Sequence, residues 1–450
     1  FLHAIEGRVL QPILNDTHNS ALVFNGEIYN YKELNEQLSI TTKNDSQSLM
    51  KYLNSFEPRD LKENFNTIID SLDADFAFVY QREQKLYLCR DYLGVKPLWY
   101  EYNKDKKCFM FSSERKILTD KSREIKPNWY YVFNIETQEF EFKERILKYR
   151  IHKNEILSDN KYDDFYNKAK EQVYIKLIKA VEKRLPTQRD KKIGLLFSGG
   201  VDSTVLALLL KQCNIDFICY NAEFQSKSLK RAEDSIYSEE IAQIHNLNLK
   251  IANISDFNEL EELIIETINI IESCDYIKVS VALPFLAACK KAKEDGVEIM
   301  FSGLGSEEIF AGYRRHRQVE DINEECLRGL HLLHTRDLYR DDVISMSQTQ
   351  ELRVPFLDEE LIHYSLPLPP EFKIDIKTLN SVKDDVYKKP HLNSLVRSKL
   401  ILRDVAIEYL HLEEKFANRQ KKAAQYGSKF DKAILRLAKN KNLSKQEYLN

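Results

Sequence analysis

The residues with the clearest chemical content form the segment Ser198-Gly199-Gly200-Val201-Asp202-Ser203. An apolar run ends just before it at Phe197, and a helical pattern begins near Asp202, so the two glycines fall in a strand-to-helix turn. Backbone N–H groups at such a helix N-terminus bind phosphate. The Gly-Lys-Ser/Thr of an ordinary P-loop is absent, which excludes that class of nucleotide hydrolase. The alternative is a plain turn capped by Ser203.

A second loop with chemical potential is Ser302-Gly303-Leu304-Gly305-Ser306-Glu307-Glu308-Ile309-Phe310-Ala311-Gly312-Tyr313. Ligands of doubly wound sheets collect outside the carboxyl ends of the strands, so both loops can face one crevice. There, the carboxylates of Asp202 and of Glu307 or Glu308 would hold a Mg²⁺ ion that bridges nucleotide phosphates, since hard cations prefer oxygen ligands. Alternatively, the glutamates form a helix N-terminal turn favoured by the macrodipole, and both interpretations can hold together.

The elements that must position these loops alternate between apolar strands and helices. The periodicity predicts strands at Ile193–Phe197, Asp216–Ala222, Leu249–Ile254 and Glu298–Ser302, and helices at Asp202–Cys213, Ser235–His245, Leu260–Ile271 and Val281–Glu294. This order predicts an α/β fold with a doubly wound parallel sheet. Beyond Arg317 the pattern is mostly helical, with basic helices over about Val396–Leu412 and Lys429–Asn440.

The N-terminal part has a different pattern, with short runs rich in β-branched and aromatic residues. They are Ala21–Phe24, Phe76–Tyr80, Lys85–Cys89, Cys108–Ser112 and Trp129–Ile135, and they predict an antiparallel sheet with a few helices. A helical pattern over Asp163–Leu185 then opens a second domain. For a chain of 450 residues we therefore predict two domains, 1–150 and 160–450.

Composition excludes several function classes. The 67 Lys and Arg against 70 Asp and Glu give a net charge of -3, so no chain-wide field attracts nucleic acid or an anionic membrane. The seven cysteines show neither a C-x-x-C pair nor zinc spacing, which favours free thiols in a reducing compartment. No apolar run approaches the roughly 20 residues of a membrane span, and no signal-peptide pattern opens the chain. We therefore expect a cytoplasmic protein with small-molecule partners.

Several motifs together resemble a known family. Ser198–Ser203 is similar to the S-G-G-x-D-S loop of ATP pyrophosphatases, and Ser302–Tyr313 resembles the S-G-x-G-S-D-E-x-F-G-G-Y signature of asparagine synthetases. Two later motifs of these enzymes resemble Glu351–Asp358 and Arg419–Lys422. Three N-terminal segments resemble class II glutamine amidotransferases: Phe24–Asn30, Arg90–Leu98 and Phe111–Glu114. Within the family, Arg340–Asp342 and Ala424–Ser428 resemble the branch of asparagine synthetase domain-containing proteins.

The resemblance implies a fold and a set of site residues. The implied fold is an Ntn-type αββα amidotransferase domain followed by an ATP pyrophosphatase domain. The implied ATP contacts are Leu196, Ser198, Gly199, Gly200, Asp202, Ser203, Ala222, Ser302 and Gly303. Asp202 and Lys421 would be catalytic, with the lysine approaching the phosphates, and Asp202 and Glu307 would hold the metal. A homodimer is left open.

The implied glutamine ligands are Asn25, Gly26, Glu27 and Asp45. The Asn25 amide and the Gly26 N–H would form an oxyanion hole, and Asp45 would pair with the α-ammonium group of glutamine. Taken without its neighbours, Asn25-Gly26 favours a hairpin turn instead.

The implied reaction is the ATP-dependent amidation of aspartate. Its carboxylate would attack the α-phosphorus of ATP, giving β-aspartyl-AMP and pyrophosphate, and ammonia from glutamine would then displace AMP. Three departures bear on it: no cysteine precedes Cys89, Leu304 stands where the family carries a glutamate base, and Ser280 stands where it carries an arginine. Because the chain begins at Phe1, we expect the nucleophile to be missing by truncation. The alternatives are an ATP-binding scaffold without efficient turnover and an enzyme that amidates a different carboxylate.

Overall fold

The computed structural model describes residues 9–42, 44–145, 149, 159–186, 191–226, 230–386, 396–420 and 423–450. These residues form two compact units, and each is described by itself. The first contains the described residues up to 145, with Pro186 and Leu333–Val343. The second contains the remaining described residues.

The first unit is built from two antiparallel sheets and three helices. Its strands are β1 Ile13–Leu14, β2 Ser20–Ile28, β3 Ala74–Arg82, β4 Lys85–Arg90, β5 Trp99–Asn103, β6 Cys108–Ser112, β7 Arg123–Glu124, β8 Trp129–Asn134 and β9 Phe140–Glu144. Its helices are α1 Tyr31–Gln37, α2 Asp45–Asn54 and α3 Pro58–Asp70. The strand orders are β1-β2-β3-β4-β8-β9 and β6-β5-β7.

The alternation of side chains along β3 shows how this unit is layered. Phe76, Phe78 and Tyr80 belong to a core shared with residues of α1, α2 and α3, whereas Ala77 and Val79 belong to a core shared with β5 and β8. Because successive strand side chains point to opposite faces, one face of the larger sheet packs on helices and the other on the smaller sheet. The predicted antiparallel amidotransferase-type architecture is confirmed in this unit.

The hairpin turn considered for Asn25-Gly26 is wrong, since both residues lie inside β2. Asn25 pairs with Ala77 and Gly26 with Phe76 across the β2–β3 ladder. Gly26 has φ of 145°, and a Cβ placed there would lie 2.1 Å from the carbonyl oxygen of Asp75. The glycine is therefore required by close strand approach rather than by a turn.

The first unit also includes a segment from late in the chain. A wide helical turn, His334–Leu338, leads into the next helix, and Leu333–Val343 packs with the N-terminal residues. The side chains of Lys96 and Asp342, each 2% exposed, form an ion pair of 3.0 Å. The predicted domains, 1–150 and 160–450, place residues 333–343 in the second domain. No local pattern in these residues indicates a partner 246 positions away.

The remaining chain supplies the parallel sheet and its helices. The strands are β10 Ile193–Leu196, β11 Phe217–Phe224, β12 Leu249–Ile254, β13 Ile299–Phe301 and β14 Glu351–Arg353. The helices are α4 Asp159–Lys183, α5 Val201–Gln212, α6 Glu233–His245, α7 Phe257–Ile271, α8 Tyr276–Glu294, α9 Ser306–Ile309, α10 Ile322–His331, α11 Tyr339–Ser347, α12 Glu359–Ser365, α13 Ile376–Val386, α14 Leu400–Glu408, α15 Glu414–Ala417, α16 Ala424–Gly427, α17 Phe430–Asn440 and α18 Lys445–Leu449.

The sheet order β12-β11-β10-β13-β14, with every neighbouring pair parallel, confirms the predicted doubly wound fold. Helix α5 is buried along most of its length, from Ser203 to Leu210, because it is apolar on nearly all sides. Among the described residues, no helix combines the length and the apolar character needed to cross a membrane.

Candidate functional site

The phosphate-type loop connects β10 to α5 at the centre of the parallel sheet. Gly199 has φ of 63°, and a Cβ there would lie 2.8 Å from the backbone nitrogen of Ser238, so only glycine fits. The Ser203 hydroxyl accepts a hydrogen bond from the Ser198 N–H at 3.3 Å and donates to the Gly200 carbonyl at 3.2 Å. The residue that precedes the helix is Gly200 rather than Ser203, and no side chain caps it. No side-chain cap therefore competes with a ligand at the N-terminus of α5.

The second loop comes against the first at Gly303. A Cβ on Gly303 would lie 3.0 Å from the Asp202 Cβ, so the two backbones approach closely. Ser302 follows β13 and its N–H donates to the Arg353 carbonyl at 3.0 Å. Ala222 lies near the carboxyl end of the neighbouring strand β11 and is 2% exposed. The structure therefore brings the predicted ATP residues to one edge of the sheet.

Two of the predicted metal ligands converge on a single atom. The Lys399 ammonium lies 2.6 Å from Asp202 Oδ1 and 2.7 Å from Glu307 Oε1. Burial alone would lower the pKa of Lys399, but the two carboxylates raise it above its ordinary value. Glu308 is buried elsewhere, beside Arg315 at 3.8 Å, so Glu307 is the glutamate at the site.

The carboxylate pair fits a magnesium ion bound together with a nucleotide. Within the described ranges, no group of three or more His, Cys, Asp and Glu side chains could hold a metal by itself. Mg²⁺ usually takes one or two protein carboxylates and completes its shell with substrate phosphates and water. The convergent oxygens of Asp202 and Glu307 match that donor set.

The side chain of Arg419 binds the backbone carbonyls of the phosphate-type loop. One guanidinium nitrogen donates to the carbonyls of Ser198 at 3.1 Å and Gly199 at 3.2 Å, and another donates to Asp234 Oδ1 at 2.6 Å. The guanidinium also lies over the ring of Tyr237, 4.0 Å from its centroid. Lys421, predicted to approach the phosphates, lies outside the described residues.

The two departures from the family motifs lie in the second unit. Leu304 is half-buried, and its N–H donates to the Ser302 hydroxyl at 3.3 Å. Ser280 is buried in α8, and its hydroxyl donates to the Ile277 carbonyl at 3.0 Å. Neither side chain supplies a base or a cation.

The predicted glutamine ligands lie along β2 and at the start of α2 in the first unit. The Asn25 amide donates to the Ser113 hydroxyl at 3.2 Å. Asp45 is 3% exposed, and its carboxylate accepts the Ile28 N–H at 3.0 Å. Glu27 is 1% exposed. The structure thus ties Asp45 to the strand that carries Asn25, Gly26 and Glu27.

Asp91 is a buried residue of the first unit, in the segment that resembles R-D-x-x-G-x-x-P-L. Its carboxylate accepts backbone N–H groups of Phe76, Leu93, Val95 and Lys96 at 2.9 to 3.1 Å. Burial and the nearby Asp75 nevertheless raise the pKa of Asp91 to about 6. This carboxylate fixes the loop after β4 rather than facing a ligand.

Sequence reasoning missed two residues of this site. Lys399 stands just before helix α14, in a segment where a lysine ordinarily faces solvent, so no local signal indicated its place. Asp234 lies in the first turn of α6 and has the pattern of a dipole-stabilising residue. Both are recognised only from the tertiary structure.

A phosphate-type loop and a carboxylate pair lie at the edge of a parallel sheet, and an amidotransferase-type unit precedes them in the chain; this combination is typical of the class of glutamine-dependent amidotransferases. A family model described as asparagine synthase matches residues 172–321 and 316–450, and one described as glutamine amidotransferase domain matches residues 6–120. A Methanocaldococcus jannaschii relative named for glutamine-hydrolysing asparagine synthetase is 33% identical over 98% of this chain and 84% of its own. The chain belongs to the asparagine synthetase family.

Other relatives are more distant and longer. The Dictyostelium discoideum relative is 29% identical over 81% of this chain and 66% of its own length. Asparagine synthetase (glutamine-hydrolysing) 3 of Arabidopsis thaliana is 28% identical over 81% of this chain and 62% of its own length. The chain thus spans about two thirds of these two proteins.

Proposed function

We propose that this chain amidates aspartate to asparagine at the expense of ATP, with 1–150 as amidotransferase domain and 160–450 as synthetase domain. The aspartate carboxylate attacks the α-phosphorus of ATP, the bond to pyrophosphate breaks, and ammonia then displaces AMP from β-aspartyl-AMP. The observation that carries the proposal is the loop Ser198–Ser203, held by Arg419 and adjacent to the convergent carboxylates of Asp202 and Glu307.

Each group has a task in this reaction. The N–H groups of the loop and of the first turn of α5 bind phosphate oxygens. Asp202 and Glu307 would hold Mg²⁺, which neutralises charge on the phosphates when it is bound. Lys421 would stabilise the departing pyrophosphate.

In the complete protein, glutamine would supply the ammonia that reaches the intermediate. Asn25 and Gly26 would stabilise the tetrahedral oxyanion, and Asp45 would pair with the glutamine α-ammonium group. Glu27 would be the fourth residue that binds glutamine. Residues 1–88 contain no cysteine, so they supply no thiol nucleophile for that half-reaction.

The alternative of an ATP-binding scaffold rests on Leu304. When ammonia attacks the acyl-adenylate, a proton must leave nitrogen, and a leucine side chain cannot accept it. Amidation would then be slow even if ATP and aspartate bind correctly.

The test supplies ATP, Mg²⁺, aspartate and ammonium to the purified chain and follows pyrophosphate and asparagine. We expect aspartate-dependent pyrophosphate release that Asp202→Asn abolishes. Leu304→Glu should raise asparagine formation, whereas Leu304→Gln, of similar size but without a base, should not. Bound ATP without any aspartate-dependent pyrophosphate would leave the scaffold as the function, and release stimulated by another carboxylic acid would identify a different acceptor.

A further inference from the structure

The ammonium group of Lys399 occupies the point on which the two metal-ligand carboxylates converge. Besides Asp202 and Glu307, it lies 3.2 Å from the Ser306 hydroxyl. The side chain of Lys399 is 4% exposed, while those of Asp202 and Glu307 are 13% and 33% exposed. The amine is therefore enclosed at the end of the site that carries the two carboxylates.

Close packing holds this arrangement in place. Lys399 has φ of 57° and stands directly before helix α14. A Cβ on Gly312 would lie 1.8 Å from Glu307 Oε2 and 2.3 Å from Lys399 Cε, so the chain at Gly312 lies against both side chains. A larger residue there would force the lysine and the glutamate apart.

Lys399 is the cation bonded to both carboxylates, while Arg403 and Arg317 act on them electrostatically as well, so the charge of Lys399 contributes directly to which cations can enter. With Lys399 in place, two carboxylates and one ammonium carry a net charge of -1; without it they carry -2. A free divalent ion would have to displace an ammonium already bonded to both carboxylates. A nucleotide triphosphate brings further negative charge to the neighbouring loop and so favours entry of the ion.

We propose that Lys399 excludes divalent metal from Asp202 and Glu307 until ATP is bound, so that metal binding at this site depends on the nucleotide. This inference rests on the proposed function, because it takes ATP and a divalent ion as ligands of this crevice. In the nucleotide-free protein Lys399 offsets one of the two negative charges and occupies the point between the carboxylates, and when the metal enters with ATP the amine gives up its place.

The experiment measures Mn²⁺ binding to the full chain by the electron paramagnetic resonance signal of the free ion, without nucleotide and with α,β-methylene-ATP. Wild type should bind no Mn²⁺ at this site without nucleotide and one ion with it. Lys399→Met should bind one ion without nucleotide, at least about tenfold more tightly than wild type, since an opposing charge has been removed. Lys399→Arg, which keeps the charge, should behave as wild type.

Two controls make the result specific. Lys415→Met removes an exposed lysine from an ion pair of 2.9 Å with Glu240 and should change nothing. Adding Glu307→Gln to Lys399→Met should abolish the new binding. Wild type that binds Mn²⁺ at this site without nucleotide, or Lys399→Met that binds no better than wild type, would overturn the proposal.

The wild-type titration still decides the matter if Lys399→Met does not fold, because it needs no variant. If the proposed function is wrong, the result is different: the wild-type protein does not bind α,β-methylene-ATP. In that case the comparison of nucleotide-free proteins still tests the exclusion of metal by Lys399.

Discussion

The N–H and the carbonyl of a planar peptide point in opposite directions. In the phosphate-type loop, the group that binds the carbonyls therefore fixes where the N–H groups point. Arg419 binds the carbonyls of Ser198 and Gly199 and is anchored by Asp234, whose side chain is 3% exposed. Hydrogen bonds to a charged donor are the stronger kind, and a planar guanidinium can serve three acceptors at fixed angles. In the proposed function, Arg419 would therefore act as a positioning residue for ATP.

Arg419→Lys should weaken ATP binding selectively. A lysine keeps the charge near Asp234 but cannot reach both carbonyls, so the KM for ATP should rise roughly 10- to 100-fold, from the loss of about 1.5–3 kcal/mol. The KM for aspartate should stay unchanged. The measurement is pyrophosphate release at varied ATP, with melting temperatures taken alongside.

Arg328→Lys serves as the matched control, because Arg328 is 61% exposed and forms an ion pair with Glu325 at 2.7 Å. It should leave both KM values as they are. An Arg419→Lys variant that melts lower yet binds ATP normally would show that the arginine has a structural role alone.

Site residues that stand in a recognisable sequence motif could be predicted, whereas those outside any motif could not. Asp202, Ser203 and Glu307 stand in contiguous motifs whose spacing carries the chemistry. Lys399 is bonded to Asp202 across 197 positions, and no local pattern marks it. Local spacing left Glu307 and Glu308 both open, the family resemblance implied Glu307, and in the structure Glu308 lies beside Arg315 instead.

Helix α4 is joined to the edge of the parallel sheet by one carboxylate. Asp358 follows β14 and accepts the N–H groups of Glu360 and Leu361 at the start of α12. It also forms ion pairs with Lys183 at 2.7 Å and Arg184 at 2.9 Å, at the end of α4. Burial alone would raise the pKa of Asp358, but Arg184 and Lys183 hold it below its ordinary value. The carboxylate thus stabilises the fold in its charged form.

Asp358→Asn should destabilise the chain in a way that depends on pH. The amide keeps the helix cap but leaves Arg184, 2% exposed, without its carboxylate, at a cost of about 3 kcal/mol near pH 7. Because the folded pKa is lowered, this stabilisation is present above the ordinary pKa of aspartate and is lost as pH falls through the folded value. The difference from wild type in urea unfolding should therefore shrink below about pH 4.

Asp164→Asn provides the comparison on the same helix. Asp164 is 71% exposed and pairs with Lys168 one turn away, so its removal should leave the free energy of unfolding unchanged. A difference between Asp358→Asn and wild type that is constant from pH 7 to pH 3 would contradict the electrostatic account.

The sequence predicted which strands and helices exist better than it predicted the residues at which they begin and end. Strands and helices alternate clearly after Ile193 because the strands are apolar on both faces, which identifies a parallel sheet. The turn considered at Asn25-Gly26 was wrong, since a glycine that permits close strand approach has the same local pattern as one in a turn. The basic helix predicted over about Val396–Leu412 is shorter, Leu400–Glu408, because Lys399 turns into the site.

At the scale of the molecule, the first unit is not one stretch of sequence. Besides the pair between Lys96 and Asp342, the ring of Tyr339 lies edge-on to Trp99 with centroids 5.8 Å apart. His334 Nδ1 lies 2.8 Å from Glu124, which also pairs with the buried Arg90. These contacts join Leu333–Val343 to β5, to β7 and to the loop that carries Lys96.

A fragment ending at residue 150 should therefore be less stable than the same unit in the whole chain. It lacks Asp342, His334 and Tyr339, and therefore loses their contacts with Lys96, Glu124 and Trp99. Lys96→Met should therefore destabilise the whole chain, where it breaks a buried ion pair at a cost of roughly 3–5 kcal/mol, and should change the fragment much less, because the fragment already lacks Asp342. Trp99 and Trp129 are the two tryptophans of the sequence and both belong to this unit, so their fluorescence in urea reports its unfolding. Destabilisation by Lys96→Met in both proteins would mean that Lys96 acts through its aliphatic packing, and that Leu333–Val343 contributes little to the stability of the first unit.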